Sequence, residues 1–245
     1  HHNVSISVVV DANGLPKIST TNKTLGKFTP DWTGGISNTF SYRSLSLSFL
    51  IDASVGGSIF SNTNKTGKYT GVLANTLSGR DAEHGGLWYY TAAMGNNVRL
   101  PESPSYSVSS DGLYYAQVNG QSTRVYQDGI MVEGVTESGS KNEEVVSAEK
   151  YYHRIYSIAE ANVYDASYVK LREVALSYRL PRLWTQKLHL QEASVTLTGR
   201  NLWTIYKSVP NIDPESALTT GNAQGVEAYS LPTTRSFGVN LSVKF

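Results

Sequence analysis

The sequence predicts an all-β protein. Its 245 residues include 30 serines, 21 threonines and 16 tyrosines, and these residue types favour pleated strands and polar loops over helices. In several segments, apolar and polar side chains alternate with a period of two, because successive side chains of a strand point to opposite faces. The connections between these segments are very unequal in length.

Six strands follow from this alternation, in chain order. They cover residues 4–10, 36–42, 44–51, 168–180, 193–202 and 234–245. In the first of them, Ile6, Val8 and Val10 share one face. The last strand alternates most regularly, because Phe237, Val239, Leu241, Val243 and Phe245 all point to one face. A tight turn is predicted at Tyr42–Ser44, and one helical turn is predicted within Pro181–Leu190.

Two architectures share this pattern, because each of them buries one face of a sheet. One is an antiparallel sandwich, whose apolar face packs on a protein core. The other is an antiparallel transmembrane β-barrel, with lipid outside and a polar lumen inside. The polar face favours the barrel, since it consists mainly of Ser, Thr, Asn and Gly with few charges.

The order of the connections also favours the barrel. Long connections near 11–31, 54–167 and 203–231 alternate with short ones near 42–44 and 181–190. Outer-membrane barrels have this asymmetry, with short periplasmic turns and long extracellular loops. Compact soluble domains rarely contain unstructured connections longer than about 15 residues.

The barrel interpretation places the apolar side chains of each strand in lipid and the polar side chains in the lumen. We expect lipid contacts from the apolar set Leu45, Leu47, Phe49, Leu241 and Val243. We expect Ser46, Ser48 and Asn240 to line the lumen.

Composition excludes several classes of function. The formal net charge is +1, which leaves no basic footprint for nucleic acid. Cysteine is absent, so neither disulfides nor thiolate metal sites can form. No apolar run is long enough for a transmembrane helix, and the first residues lack the features of a signal peptide.

No enzyme, metal site or cofactor is predicted. The tripeptide Lys65–Gly67 and the tetrapeptide Ser138–Lys141 match fragments of penicillin-binding motifs, but they occur in the reverse order and in segments expected to be polar loops. The carboxylates of Asp81 and Glu83 lie close to His84 in sequence, yet a single such turn is more typical of a solvated loop.

Four blocks of the sequence carry a family resemblance. They are PDWTGGISNTFSYRSLSLSFLID (30–52), NVYDASYVKLREVALSYRLP (162–181), GRNLWTIYKSVPNIDPES (199–216) and SLPTTRSFGVNLSVKF (230–245). Together they resemble the end of the SusC/RagA family of TonB-linked outer membrane proteins. The middle of the chain, roughly 62–161, matches no motif of that family.

The resemblance implies an importer in the outer membrane of Bacteroidota-type bacteria, similar to the plugged 22-stranded transporters. A SusD-like surface lipoprotein would capture a glycan or peptide, and the TonB complex would open the plug. The chain is then expected to be the C-terminal portion of the barrel, with the plug domain and TonB box absent from it. The alternatives are a secreted β-sandwich module that binds glycans, and a passive porin or adhesin.

Aromatic residues of the long connections are the candidate contacts for substrate or partner. They are Trp88, Tyr89, Tyr90, Tyr114 and Tyr115, whose rings can stack on sugars or pack on peptide side chains. The same residue types also anchor barrels at the membrane interface. That second role is predicted for Trp203 and Tyr206, which lie next to a strand end.

Two further expectations concern strand ends. The last strand, with its lipid-facing apolar side chains and terminal Phe245, has the form of a barrel insertion signal. Lys170 and Arg172 lie towards the outer end of their strand, where long cationic side chains can extend to lipid headgroups.

Overall fold

The computed structural model describes residues 8–187, 189–216, 221 and 223–245. The described residues are all-β, with 45% strand and 15% helix, and the chain divides into two compact units. Unit 1 comprises residues 1–24 and 64–162, and unit 2 comprises residues 25–63 and 163–245. In the described ranges, no helix has the length and hydropathy needed to cross a membrane.

The strands, in chain order, are β1 (Val8–Val10), β2 (Trp32–Tyr42), β3 (Leu45–Val55), β4 (Ser58–Ser61), β5 (Leu87–Thr91), β6 (Asn97–Arg99), β7 (Tyr106–Val108), β8 (Tyr114–Val118), β9 (Gln121–Ile130), β10 (Gly134–Thr136), β11 (Val146–Ser147), β12 (Val163–Asp165), β13 (Tyr168–Arg179), β14 (Glu192–Lys207), β15 (Val226–Glu227) and β16 (Ser236–Lys244). The α-helices are α1 (Asn62–Thr70), α2 (Ala148–Ser157) and α3 (Arg182–Lys187). Short 3-10 turns cover Ala74–Thr76, Ala82–His84 and Glu160–Asn162.

Unit 2 is built on a five-stranded sheet, which we call the main sheet. Its strand order is β16-β14-β13-β3-β2, and every neighbouring pair is antiparallel. Alternation explains why these five predicted strands form, because each has mainly apolar side chains on one face and mainly polar side chains on the other. The predicted turn at Tyr42–Ser44 is confirmed, with Arg43 at φ 54°, and the predicted helical turn is α3.

All short links of the main sheet lie at one end, and all long connections leave from the other. Residues 43–44 join β2 to β3, and residues 180–191 join β13 to β14. The residues before β2, those between β3 and β13, and those between β14 and β16 start or finish at the opposite end. The asymmetry expected from the sequence is therefore present in the main sheet.

The first predicted strand does not belong to the main sheet. Ile6 lies outside the described residues, and Val8–Val10 pair in parallel with β10 in a separate two-stranded sheet of unit 1. The prediction of a sixth barrel strand is wrong for this described part. Alternation fixes the faces of a strand but not its partner, and here the partner is more than 120 residues away in sequence.

Unit 1 has regular structure where the sequence predicts one long loop. Strands β6, β5, β9, β8 and β7 form a sheet in that order, and β11 also pairs with β9. Its core contains Trp88, Ala116 and Val125. The side chain of Ser147 caps α2 by accepting a hydrogen bond from the backbone N–H of Lys150.

A small sheet of β12, β4 and β15 completes unit 2. Ile59, Val209 and Ile212 form its apolar core. The buried carboxylate of Glu227 accepts hydrogen bonds from Ser61 Oγ at 2.7 Å and from Thr63 Oγ1 at 2.5 Å. These bonds attach the chain before β16 to the residues that follow β3.

Candidate functional site

One face of the main sheet is apolar and exposed. A row of directly opposed side chains crosses all five strands, and each is between 41% and 75% exposed. The row consists of Phe40, Leu47, Leu176, Leu197 and Val239. Since this row is exposed, the described residues do not bury the apolar face in a sandwich core.

The side chains that are predicted to contact lipid differ in exposure, and their contact with lipid remains a prediction. Leu45, Leu47, Leu241 and Val243 are exposed, whereas Phe49 is half-buried. In the terminal strand, Phe237, Val239, Leu241, Val243 and Phe245 are all exposed. Its role as an insertion signal remains a prediction.

The opposite face of the main sheet is polar. The row next to the apolar one consists of Ser41, Ser46, Ser177, Thr196 and Asn240. Cross-strand hydroxyl pairs bond to each other here, with Ser177 Oγ 2.7 Å from Thr196 Oγ1. Ser41 and Ser46 form a second hydroxyl pair. The two exposed faces of the main sheet therefore differ in polarity.

Aromatic side chains flank the apolar face at both ends. At the end with the short links, Tyr42 and Tyr178 both lie opposite Leu45. At the other end, Trp203, Tyr206 and Trp32 lie on the rungs of Ile51, Ala53 and Val55, respectively. All five aromatic residues are exposed.

The distance between the outermost aromatic rungs, those of Leu45 and Val55, matches the apolar band of an outer-membrane barrel. Strand β3 has 11 residues from Leu45 to Val55, or about 33 Å at roughly 3.3 Å per residue. With a strand tilt of about 40°, this length spans about 25 Å, the usual height of the apolar band of an outer-membrane barrel. Trp203 and Tyr206 were predicted as anchors; Trp32, Tyr42 and Tyr178 were not, although each ends an alternating strand.

A cluster of charges lies on the polar side, near the end with the long connections. It consists of Asp52, Lys170, Arg172, Asp213 and Glu215, and we call it the charged cluster. Lys170 Nζ lies 2.5 Å from Asp213 Oδ1 and 2.6 Å from Glu215 Oε2. Arg172 bonds to both Asp52 and Glu215, with Nη2 2.7 Å from Asp52 Oδ2.

A β-bulge explains how two alternate cations reach the same carboxylates. Against β3, the register of β13 shifts between Leu171 and Glu173, so Arg172 is an additional residue relative to that strand. Against β14 the register also shifts there, but the extra residue belongs to β14. Lys170 and Arg172 therefore do not extend to lipid headgroups. The sequence-based prediction that they do is wrong. Lys170 is only 3% exposed. A buried cation needs anionic partners, and Asp213 and Glu215 supply them.

The electrostatics of the cluster favour charged carboxylates. Burial alone would raise the pKa of Asp213, but hydrogen bonds from Lys170 and Thr233 outweigh it and lower the pKa to about 2. Burial likewise opposes ionisation of Glu215, yet hydrogen bonds from Arg172 and Lys170 lower its pKa to about 2. The cluster thereby fixes residues 213–215 against the main sheet.

The aromatic candidates of unit 1 lie in one sheet but differ in accessibility. Trp88 and Tyr89 are buried: Trp88 packs on Tyr114 with ring centroids 5.8 Å apart, and the hydroxyl of Tyr89 donates to Asp128 at 3.2 Å. Each of these two side chains is therefore covered within unit 1. Tyr90, Tyr114 and Tyr115 are half-buried, and the contact role of all five residues stays a prediction.

The weaker sequence motifs bring no catalytic group together. Lys65–Gly67 lies within α1 rather than in a loop, and Ser138–Lys141 follows β10. Asp81 caps a 3-10 turn and lies 2.7 Å from His84 Nδ1. Within the described ranges, no group of three metal-ligating side chains occurs.

Replacing Lys170 by Met should loosen residues 208–216. The substitution leaves two carboxylates without their buried cation, and such a loss costs about 3–5 kcal/mol. We expect the local free energy of opening to fall by about this amount, as measured by hydrogen exchange of amides 208–216. The control Lys187→Met changes an exposed lysine of α3 and should leave exchange unchanged; equal exchange in both variants would contradict the role of the cluster.

The same segment should loosen in acid. The two carboxylates have folded-state pKa values near 2, below the unfolded values of about 3.9 for Asp and 4.3 for Glu. Their contribution is therefore complete above about pH 4 and lost as the pH falls towards 2. Hydrogen exchange corrected for intrinsic rates should show this loss in the wild type and a smaller one in Lys170→Met; protection that is constant from pH 5 to pH 2 would refute it.

Three comparisons relate the chain to known proteins. No family model matches it. It is 25% identical over 242 residues to TonB-dependent receptor P3 of Formosa agariphila, covering 96% of this chain and 18% of that protein.

Solved structures of the RagAB peptide importer are also similar. The open-open state gives a TM-score of 0.45 at 17% identity, covering 89% of this chain and 17% of that one. The closed-closed state gives 0.46 at 18% identity, covering 97% and 21%. With TM-scores below 0.5, these likenesses carry no argument.

The chain spans about a fifth of the length of the proteins it matches. The resemblance drawn from the sequence blocks is nevertheless confirmed, since nearly the whole chain is similar to a TonB-dependent receptor.

Proposed function

We propose that this chain forms part of the lipid-facing wall of a TonB-dependent nutrient transporter of the SusC/RagA type in the outer membrane. The observation that carries the proposal is the exposed apolar face of the main sheet, flanked at both ends by aromatic residues. Lipid is the solvent that fits this face, because Trp and Tyr prefer the two membrane interfaces and aliphatic side chains prefer the zone between them.

The remaining wall comes from the rest of the protein. Strands β2 and β16 are the edges of the main sheet, and unpaired backbone groups in lipid cost several kcal/mol each. We therefore infer that further strands pair with both edges and close a barrel, which would have 22 strands around a plug. The much greater length of the similar receptor supports this size.

The two ends of the main sheet have different roles in this proposal. The end with the long connections faces the exterior, and the end with the short links faces the periplasm, as in other outer-membrane barrels. A SusD-like lipoprotein would bind at the exterior end. The cargo would be a glycan or a peptide.

A charge on the apolar face should impair membrane assembly, whereas the same charge on the polar face should not. Leu47→Lys places an ammonium against lipid within the apolar band, where the cost rises from about 0–1 kcal/mol near the interfaces to about 2–4 kcal/mol at the midplane. The matched variant Ser48→Lys points the ammonium to the lumen. We expect the full-length protein with Leu47→Lys to be depleted from the outer-membrane fraction, and Ser48→Lys to remain at the wild-type level.

Other outcomes would identify the alternative functions. Recovery of the wild-type protein in the soluble fraction would replace the proposal by a secreted glycan-binding sandwich. Outer-membrane location with uptake that persists after deletion of the TonB complex would indicate a passive porin. Equal levels of both lysine variants would contradict the assignment of the faces.

A further inference from the structure

Unit 1 contains a cavity of about 390 Å³ that no step of the proposed transport uses. The C-terminal part of α1, the turn that reaches Arg80, strand β9 and the first half of α2 line it. Its volume lies within the range of about 300–1,000 Å³ that is typical of small-molecule sites. All of its lining residues belong to unit 1.

Two cations, Lys68 and Arg80, are among the lining residues. Lys68 is buried, and its Nζ donates to the carbonyl oxygen of Ala161 at 2.7 Å and to Asn162 Oδ1 at 3.2 Å, so its ammonium group is already bonded within the protein. The guanidinium of Arg80 donates to the carbonyl oxygen of Gly71 and to Thr76 Oγ1. In the described ranges, Arg80 forms no ion pair with a carboxylate, so its charge is available to an anion.

Two carboxylates come from other elements, Asp128 from β9 and Glu149 from the first turn of α2. Neither has an ion-pair partner among the described side chains. Burial raises the pKa of Asp128, the hydrogen bond from Tyr89 opposes this rise, and the charge of Glu149 adds to it. A cationic group in the cavity would relieve both the desolvation and the repulsion.

The cavity also has an aromatic side. The rings of Tyr69 and His153 are stacked, with centroids 4.1 Å apart and planes inclined by 16°. Tyr69 is 47% exposed. This flat surface can cover the aliphatic body of a ligand whose charged ends bind elsewhere.

We propose that this cavity binds a short zwitterionic peptide, with its ammonium group at Asp128 and Glu149 and its carboxylate at Arg80. A neutral saccharide would satisfy neither the two carboxylates nor the guanidinium, and a ligand with one charge would satisfy only one of these two sides. The inference rests on the proposed function to the extent that the bound peptide is cargo. It assigns a peptide-capture site to unit 1.

Calorimetric titration of the full-length protein in detergent micelles tests the ligand class. The probes are trialanine, N-acetyl-trialanine, trialanine amide and maltotriose. We expect trialanine to bind, each capped form to bind about tenfold more weakly or worse because one charge-assisted contact is lost, and maltotriose not to bind. Absence of trialanine binding, or equal binding of trialanine and N-acetyl-trialanine, would overturn the proposal.

Variants locate the site. Glu149→Gln should weaken trialanine but leave the weak binding of N-acetyl-trialanine unchanged, because that probe has no ammonium group. Asp128→Asn should act in the same way, and Glu143→Gln is the matched control at an exposed position outside the cavity. Thermal unfolding of each variant confirms that the fold is kept, and unchanged trialanine affinity in both cavity variants would refute the site.

Failure of this inference can be told apart from failure of the proposed function. Trialanine binding that responds to Glu149→Gln supports the cavity even if the Leu47→Lys and Ser48→Lys variants reach the membrane equally. Conversely, depletion of Leu47→Lys alone supports the membrane wall, while binding of maltotriose that is sensitive to Glu149→Gln would refute the peptide site.

Discussion

The exposed apolar face of the main sheet is the constraint on which the rest of the structure depends. Soluble monomers rarely expose contiguous apolar patches larger than a few hundred Å², yet here one row crosses five strands without being covered. Burial of apolar side chains drives folding, so this face needs apolar surroundings. Under the proposed function, lipid supplies these surroundings, and the polar hydroxyl rows on the other side face water.

The two ends of the main sheet differ as its two faces do. Short links join strands where little chain is needed, and the long connections leave from the other end, where the charged cluster lies. The bulge beside Leu171 brings Lys170 and Arg172 to the same side, and three carboxylates compensate them. A buried group of this kind contributes less to net stability than to a unique arrangement, which here is the position of residues 213–215.

The sequence predicts the parts of this structure in which local pattern decides the outcome. Strands β2, β3, β13, β14 and β16 were found from alternation, because each has a uniform chemistry on each face. The partner of Val8–Val10 was missed, since a three-residue strand has no pattern that specifies pairing over a long sequence separation.

Sites formed by distant residues were also beyond local pattern. Lys170 and Arg172 meet carboxylates more than 40 residues away, so their strand position alone suggested headgroup contacts. The burial of Trp88 depends on rings from β7 and β8. The charged residues that line the cavity of unit 1 come from four separate segments, so no local pattern predicts it. Sequence spacing does predict that Glu149 and His153 share a face of α2, because they lie four residues apart.

The central claim is that the two faces of the main sheet contact two different solvents. These 245 residues contain no cysteine, so a nitroxide on Leu176→Cys or on the adjacent Ser177→Cys probes one face once any cysteine elsewhere in the full-length protein is replaced by Ser. Electron paramagnetic resonance of the full-length protein in lipid vesicles should show high accessibility to oxygen at position 176 and to a water-soluble nickel chelate at position 177. Equal accessibility at both positions, or the reverse order, would contradict the account.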